Sequence, residues 1–155
     1  MTKTQRTDKA TQLALDVARH LEANDHNGKA LGIDILEVGP GFAKTAMTIR
    51  DTMTNGHGIA HGGMIFCLAD TAFAYACNSR NEATVAQAAT ITFLAPARVG
   101  DRLIAEASEQ AKAGRTGSFS VTVSTAEGQI IATFHGLSRT FAGAVIETES
   151  DASQG

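Results

Sequence analysis

The chain holds 155 residues, 43% of them apolar, with 13 lysines and arginines against 16 acids for a formal net charge of −3. This is the length of one domain, large enough to bury a core without disulfide or metal staples. The mildly acidic balance, with no dense basic run, argues against a nucleic-acid binder and against a membrane-surface protein.

The opening residues, MTKTQRTDKATQ, contain no apolar run of the kind a secretory leader needs. From Thr7 onward, Ala10, Leu13, Ala14, Val17, Ala18 and Leu21 recur at helical spacing, which predicts an amphipathic helix over 7–24 that ends at NDHNG. ALGIDILEVGPGFAKTAMTIR alternates on both sides of Gly39-Pro40-Gly41 and reads as a hairpin. The polar, glycine-rich DTMTNGHGIAH has no periodicity and reads as a loop. A helix is predicted over 62–78, where GGMIFCLADTAFAYACN is apolar on every side and is expected to be buried all round. Its alanine content and Asp70 speak against a membrane span. Four strand candidates follow: TVAQAATITFLAP, RLIAEASEQAKA, SFSVTVST and IIATFHGLSRTF. Residues 144–155 read as a disordered tail. The whole of 1–155 is expected to form a single domain in the order α-β-β-α-β-β-β-β. Short turns between strands favour an antiparallel sheet. A curved sheet wrapped about one buried helix, with an extra N-terminal helix, is an α+β hotdog fold.

Asp70 is the one charged residue in the apolar helix. An acid there either pairs with a structural partner or does chemistry, because burial of an unpaired carboxylate is expensive and raises its pKa. Such groups serve as bases or nucleophiles. Gly62 and Gly63 open the same helix, where free N–H groups and the positive end of the dipole converge. They read either as a tight turn or as a place where an oxygen gaining negative charge is stabilised. Gly62 and Asp70 lie eight residues apart, about 12 Å along a helix and about 80° around it. One chain cannot readily set both against the same carbonyl carbon. Two antiparallel copies related by a twofold axis can, so a homodimer with shared sites is expected.

Asn55 is either a turn residue or a donor to a substrate carbonyl. His57 and His61 are spaced H-x3-H, but no cysteine or carboxylate completes a ligand set, and no metal is expected. His61 is expected to hydrogen-bond the loop and set the start of the helix, and His135 to be structural. Cys67 and Cys77 would lie about 15 Å apart along the helix, too far for a disulfide. Both read as buried reduced thiols of a cytoplasmic protein.

The assembled stretch NGHGIAHGGMIFCLADTAFAYACNS closely resembles the phenylacetic acid degradation thioesterases, the PaaI family of the hotdog superfamily. The likeness continues through ATITFLAPARVGDRL, GRTGSFSVTV and ATFHGLSRTF, covering most of the chain after about residue 30. What it implies is hydrolysis of acyl-CoA thioesters, phenylacetyl- or hydroxyphenylacetyl-CoA foremost, without a cofactor beyond the coenzyme A of the substrate. It implies that Asp70 attacks the thioester or activates water. It further implies that Asn55 and Gly62 of the other subunit bind the carbonyl while His61 supports the loop, and that dimers pair into tetramers.

Some relatives carry a serine or threonine on the strand after the helix to hold the water; here VAQAAT offers Gln87 or Thr90. Gln87 is the choice if it shares a face with Ala89, Ile91 and Phe93 by period-2 alternation, and it also suits the acyl pocket wall. Gly63 joins the substrate-binding set, and Phe66 and Phe73, with Tyr75, are either plain core or the walls of an apolar acyl slot. For the CoA phosphates the cations on offer are Lys112 and Arg115, then Arg98, Arg102 and Arg139. Two rivals are a hotdog enoyl-CoA hydratase, which commonly has a histidine where Tyr75 stands, and a non-catalytic acyl-CoA-binding protein, which would not need Asp70.

Overall fold

The computed structural model describes residues 2–148. Helix α1 spans Lys3–Asn24 and begins four residues before the expected Thr7. The cause is a capping box: the Thr2 hydroxyl accepts from the Gln5 N–H at 3.2 Å, and the Gln5 side chain accepts from the Thr2 N–H at 2.8 Å. Ala14, Val17 and Ala18 form the buried stripe. NDHNG does not simply end this helix. Asp25 accepts from the Gly28 N–H at 2.9 Å and caps a second short helix, α2 (His26–Leu31), which stops at Gly32 with φ +69.

Strands β1 (Asp34–Gly39) and β2 (Phe42–Thr48) form the expected hairpin about Pro40-Gly41. After a 3-10 turn and a loop comes α3 (Gly62–Asn78), followed by β3 (Thr84–Phe93), β4 (Arg102–Ala113), β5 (Thr116–Thr125) and β6 (Ile130–Thr140). All neighbours are antiparallel, in the order β1-β2-β4-β5-β6-β3. One helix touches all six strands, so the sheet must curve around it. This is the hotdog arrangement, with α1 packed on β1 and α3.

Why α3 sits so deep is a matter of side-chain size. Ala69, Ala72 and Ala76 on the helix, and Ala43, Ala105 and Ala107 on β2 and β4, are all fully buried. Small faces let helix and sheet approach closely. Larger groups fill the β5–β6 side. Phe73 packs its ring 5.3 Å from Phe119 and 5.8 Å from Phe134, and a Cβ at Gly136 would lie 2.8 Å from the Phe73 ring. The helix is nevertheless not buried all round. Beyond its first turn, Phe66, Cys67, Asp70, Ala74 and Cys77 are only half-buried, and their spacing puts them on one stripe along the helix.

Two joints lock the far end of α3. Ser79 donates to the Ala76 carbonyl and accepts from the Gly41 N–H at 2.7 Å, tying the helix to the first hairpin. The Asn78 amide donates to the Thr84 carbonyl and accepts from the Thr84 N–H, both at 2.9 Å, fixing the start of β3. The segment expected to be disordered from 144 is held at its beginning. Asn81, at φ 61, accepts from the N–H groups of Val145 and Ile146 and donates to the Ile146 carbonyl. Residues 149–155 lie outside the described residues.

Candidate active site

The loop before α3 is a tight hairpin of its own. Thr54 bridges Ala60, the Asn55 N–H donates to the Ile59 carbonyl at 2.8 Å, and the His61 N–H donates to Met53 at 2.7 Å. Asn55 uses its side-chain oxygen internally, accepting from the His57 N–H at 2.9 Å and the Ile59 N–H at 3.4 Å. That engagement fixes which end of the amide is oxygen and leaves the NH2 group to donate outward. The turn reading and the donor reading are thus compatible in one residue.

His61 caps α3, its Nδ1 accepting from the Gly63 N–H at 3.0 Å. The N–H groups of Met64 and Ile65 both turn to the His61 carbonyl. Gly62 is left with the one first-turn N–H that has no acceptor among the described residues. A helix of 17 residues therefore aims its dipole and a single open donor at this point. Gly63, proposed from sequence as substrate-binding, has its N–H committed to His61 instead, and its missing side chain makes room for the imidazole, 3.2 Å from an added Cβ. His61→Ala is expected to lower stability by about 1 kcal/mol through loss of the cap, with His61→Asn retaining most of it, as read from chemical denaturation.

Asp70 opens into a different space, a cavity of about 600 Å³. Phe66, Cys67, Phe73, Ala74 and Cys77 give it an apolar wall from α3, and Thr84, Val85 and Ala86 close it from β3. Asp70 makes no hydrogen bond or ion pair among the described residues, and burial holds its pKa above the ordinary carboxylate value. Nearby, burial and then the Asp70 charge push the Cys77 thiol up to about 12, so it stays a protonated, inert group. The reading of Asp70 as a carboxylate with a structural partner finds no such partner.

Phe66 and Phe73 both line this cavity, while Phe73 is also fully core. Part of the wall was not foreseen: Leu21, Asn24, Asp25 and Asn27 reach it from the α1–α2 junction. The capping Asp25, three residues before Gly28, was the local sign of that junction. Tyr75, at the position where a hydratase carries histidine, is buried, and its phenol is pushed above its ordinary value by burial and the Asp25 and Glu22 charges.

Asn55 and Gly62 line a second cavity of about 480 Å³, together with Ile59, Ile65 and the 93–97 segment. The two cavities share no lining residue. Within one protomer the open donor and the acid are therefore apart.

Gln87 does not continue the alternation on which its selection rested. It is the extra residue of a β-bulge between Ala86 and Ala88, exposed, and outside the wall of either cavity. Thr90 is also exposed. Lys112 is paired with Glu82, and Arg115 is exposed with no ion-pair partner among the described residues. Arg139 stands opposite Val85 in the ladder, at the β3 end of the Asp70 cavity. Arg102 is occupied by Asp34 and Thr48. His135 bonds Ser118 at 2.9 Å. Among the described residues no three His, Cys, Asp or Glu side chains gather as a metal set, and no helix is long and apolar enough to cross a membrane.

The fold and the mid-helix acid define a class, the hotdog enzymes of the thioesterase superfamily, whose family model matches residues 57–132. The acyl-coenzyme A thioesterase PaaI of Escherichia coli (strain K12) is 44% identical over 128 residues, covering 83% of this chain and 91% of that protein. The solved structure of the E. coli PaaI protein from the phenylacetic acid degradation operon matches with a TM-score of 0.85 at 42% identity, covering 86% of this chain and 97% of that one. A putative esterase of Archaeoglobus fulgidus is 34% identical over 126 residues, 81% of this chain and 82% of its own length. The chain belongs to the PaaI-type acyl-CoA thioesterases, hydrolases of acyl-CoA thioesters within the thioesterase superfamily.

Proposed function

We propose that this thioester hydrolase acts on phenylacetyl-CoA or a hydroxylated phenylacetyl-CoA, at two sites each built from two copies of the chain. The observation that carries the reading is the separation of an unpartnered acid, in one apolar cavity, from the Gly62 and Asn55 donors in another. β3 supplies the means of joining them. It is a free sheet edge of ten residues, TVAQAATITF, without a charge or a proline, and Val85 and Phe93 along it and Leu94 just past its end are exposed. The opposite edge, β1, is six residues long and carries Asp34 and Glu37. Its guard is one bulge at Gln87, and natural sheets leave so lightly guarded an edge where a second chain covers it. Thr84–Ala86 border the Asp70 cavity at one end of β3, and Phe93 borders the donor cavity at the other. Antiparallel pairing of two β3 strands about a twofold axis sets each acid cavity beside the partner's donor cavity.

The chemistry then needs no metal. The substrate carbonyl oxygen takes the Gly62 N–H and the Asn55 amide from one subunit. Asp70 of the other removes a proton as water attacks the carbonyl carbon, the tetrahedral oxyanion is held by the same donors, and its collapse expels the CoA thiolate, which takes up the proton. Alternatively Asp70 attacks the carbonyl carbon directly and the C–S bond breaks to expel the CoA thiolate, giving an acyl-aspartyl anhydride that water then opens. Phe66 and Phe73 offer an apolar slot for an aromatic acyl group. Arg139 and Arg115, with Lys112 beside them, offer positive charge to the CoA phosphates at the sheet end nearest the Asp70 cavity. Dimers are expected to pair into tetramers, and two reduced cysteines suit a cytoplasmic enzyme.

A panel of aryl-acetyl and straight-chain acyl-CoAs, followed by thiol release, tests class and specificity together. kcat/KM is expected to be at least about tenfold higher for the aryl-acetyl substrates. Release only from straight-chain thioesters would overturn the substrate assignment, and release from none would overturn the activity.

A further inference from the structure

Phe93 is a large apolar side chain left 50% exposed at the end of β3. Its backbone is well fixed: Phe93 pairs with Ala132, and the next two N–H groups, Leu94 and Ala95, both donate to the Ile131 carbonyl. From that anchored position the far edge of its ring lies on Gly62. A Cβ added at Gly62 would come 2.9 Å from Cζ and 3.3 Å from each Cε of Phe93. The ring therefore occupies the room that a side chain at 62 would need. A side chain at 62 would have to push the ring aside, so glycine here leaves the ring its seat.

We propose that Phe93 is a positioning residue for the thioesterase reaction, its ring seated on Gly62 so that the open Gly62 N–H keeps its aim. The proposal rests on the thioesterase reading above. Ring and donor share the wall of one cavity with Asn55, so a ring pushed off its seat moves into the space where the carbonyl is to bind. Leucine in place of Phe93 keeps the stem of the side chain and lacks the Cε and Cζ atoms that meet Gly62.

The test compares kcat and KM in wild type, Gly62→Ala, Phe93→Leu and the double variant, with light scattering to verify that all four assemble alike. Gly62→Ala is expected to lose about 100-fold or more in kcat, the scale of losing an oxyanion donor. Phe93→Leu is expected to lose about tenfold in kcat with KM within about twofold, since misplacement of a donor acts on the transition state. The decisive variant is the double one. With the ring shortened, the methyl group added at position 62 fits, and kcat is expected to recover to the Phe93→Leu level. A double variant no better than Gly62→Ala would show that the added methyl obstructs substrate and would overturn the proposal, as would an unchanged kcat in Phe93→Leu. A wild type that releases no thiol from any acyl-CoA defeats the thioesterase reading itself, a result distinct from either.

Discussion

Asp70→Asn is expected to lower kcat by about 10²- to 10⁴-fold while leaving the fold and the assembly unchanged. The amide keeps the shape of the side chain and can neither take a proton from water nor attack a carbonyl. Stability is expected to move the other way. Burial raises the folded pKa of Asp70 above its unfolded value, so folding favours the protonated form. The sign follows from linkage: stability is greatest below the unfolded carboxyl pKa, falls as pH rises between the unfolded and folded values, and stays lower above them. Once ionised, the wild type carries a poorly solvated charge that the amide variant lacks. The variant's Tm is expected to equal or exceed that of the wild type at pH 7, with the advantage vanishing in acid. The wild-type pH–rate profile should accordingly rise through a point above the ordinary carboxylate range. Near-normal turnover in the variant would remove Asp70 from the chemistry. A large loss of Tm at pH 7 would mean that the carboxylate has a structural partner after all.

Subunits carrying Asp70→Asn, mixed and reassembled with subunits carrying Asn55→Ala, are expected to recover about a quarter of wild-type activity although each variant alone is nearly inactive. In a mixed dimer one site receives both defects and the other receives neither. Random reassembly makes about half of the dimers mixed, and half of the sites in each of those are intact. The recovery depends only on acid and donor coming from different chains, as the proposed twofold site has it, with the two in cavities that share no lining residue. No recovery on verified subunit exchange, with each variant inactive alone, would place acid and donor in one chain and dismantle the twofold site.

The helix over 62–78, the hairpin about Pro40-Gly41 and the four later strands were legible because each is decided within a few residues, by periodicity and turn chemistry. Asp70 stood out for the same reason, as one charge in an apolar run. What escaped was set at a distance or by a single side chain. The early start of α1 hangs on Thr2 and Gln5, and α2 on one aspartate. Gln87 shows the limit of alternation: an extra residue in β3 breaks the period on which its inward orientation depended. The half-buried stripe of α3 was invisible because an apolar helix looks the same whether the fold packs against all of it or leaves a cavity along part of it. That Gly62 also leaves room for the ring of Phe93, far along the chain, was beyond any local reading of a tight turn or a ligand's approach.

Ser79 and Asn78 clamp the far end of α3 to the first hairpin and to β3, so the rod cannot slide independently of the sheet. In the proposed twofold pair, the same rod carries the acid of one site and the donor tip of the other. An axial slip of one residue would withdraw about 1.5 Å of reach from both reactions at once. Neither half of such a pair could drift without its twin registering the error, so alignment there would be guarded in duplicate by joints that never meet a substrate.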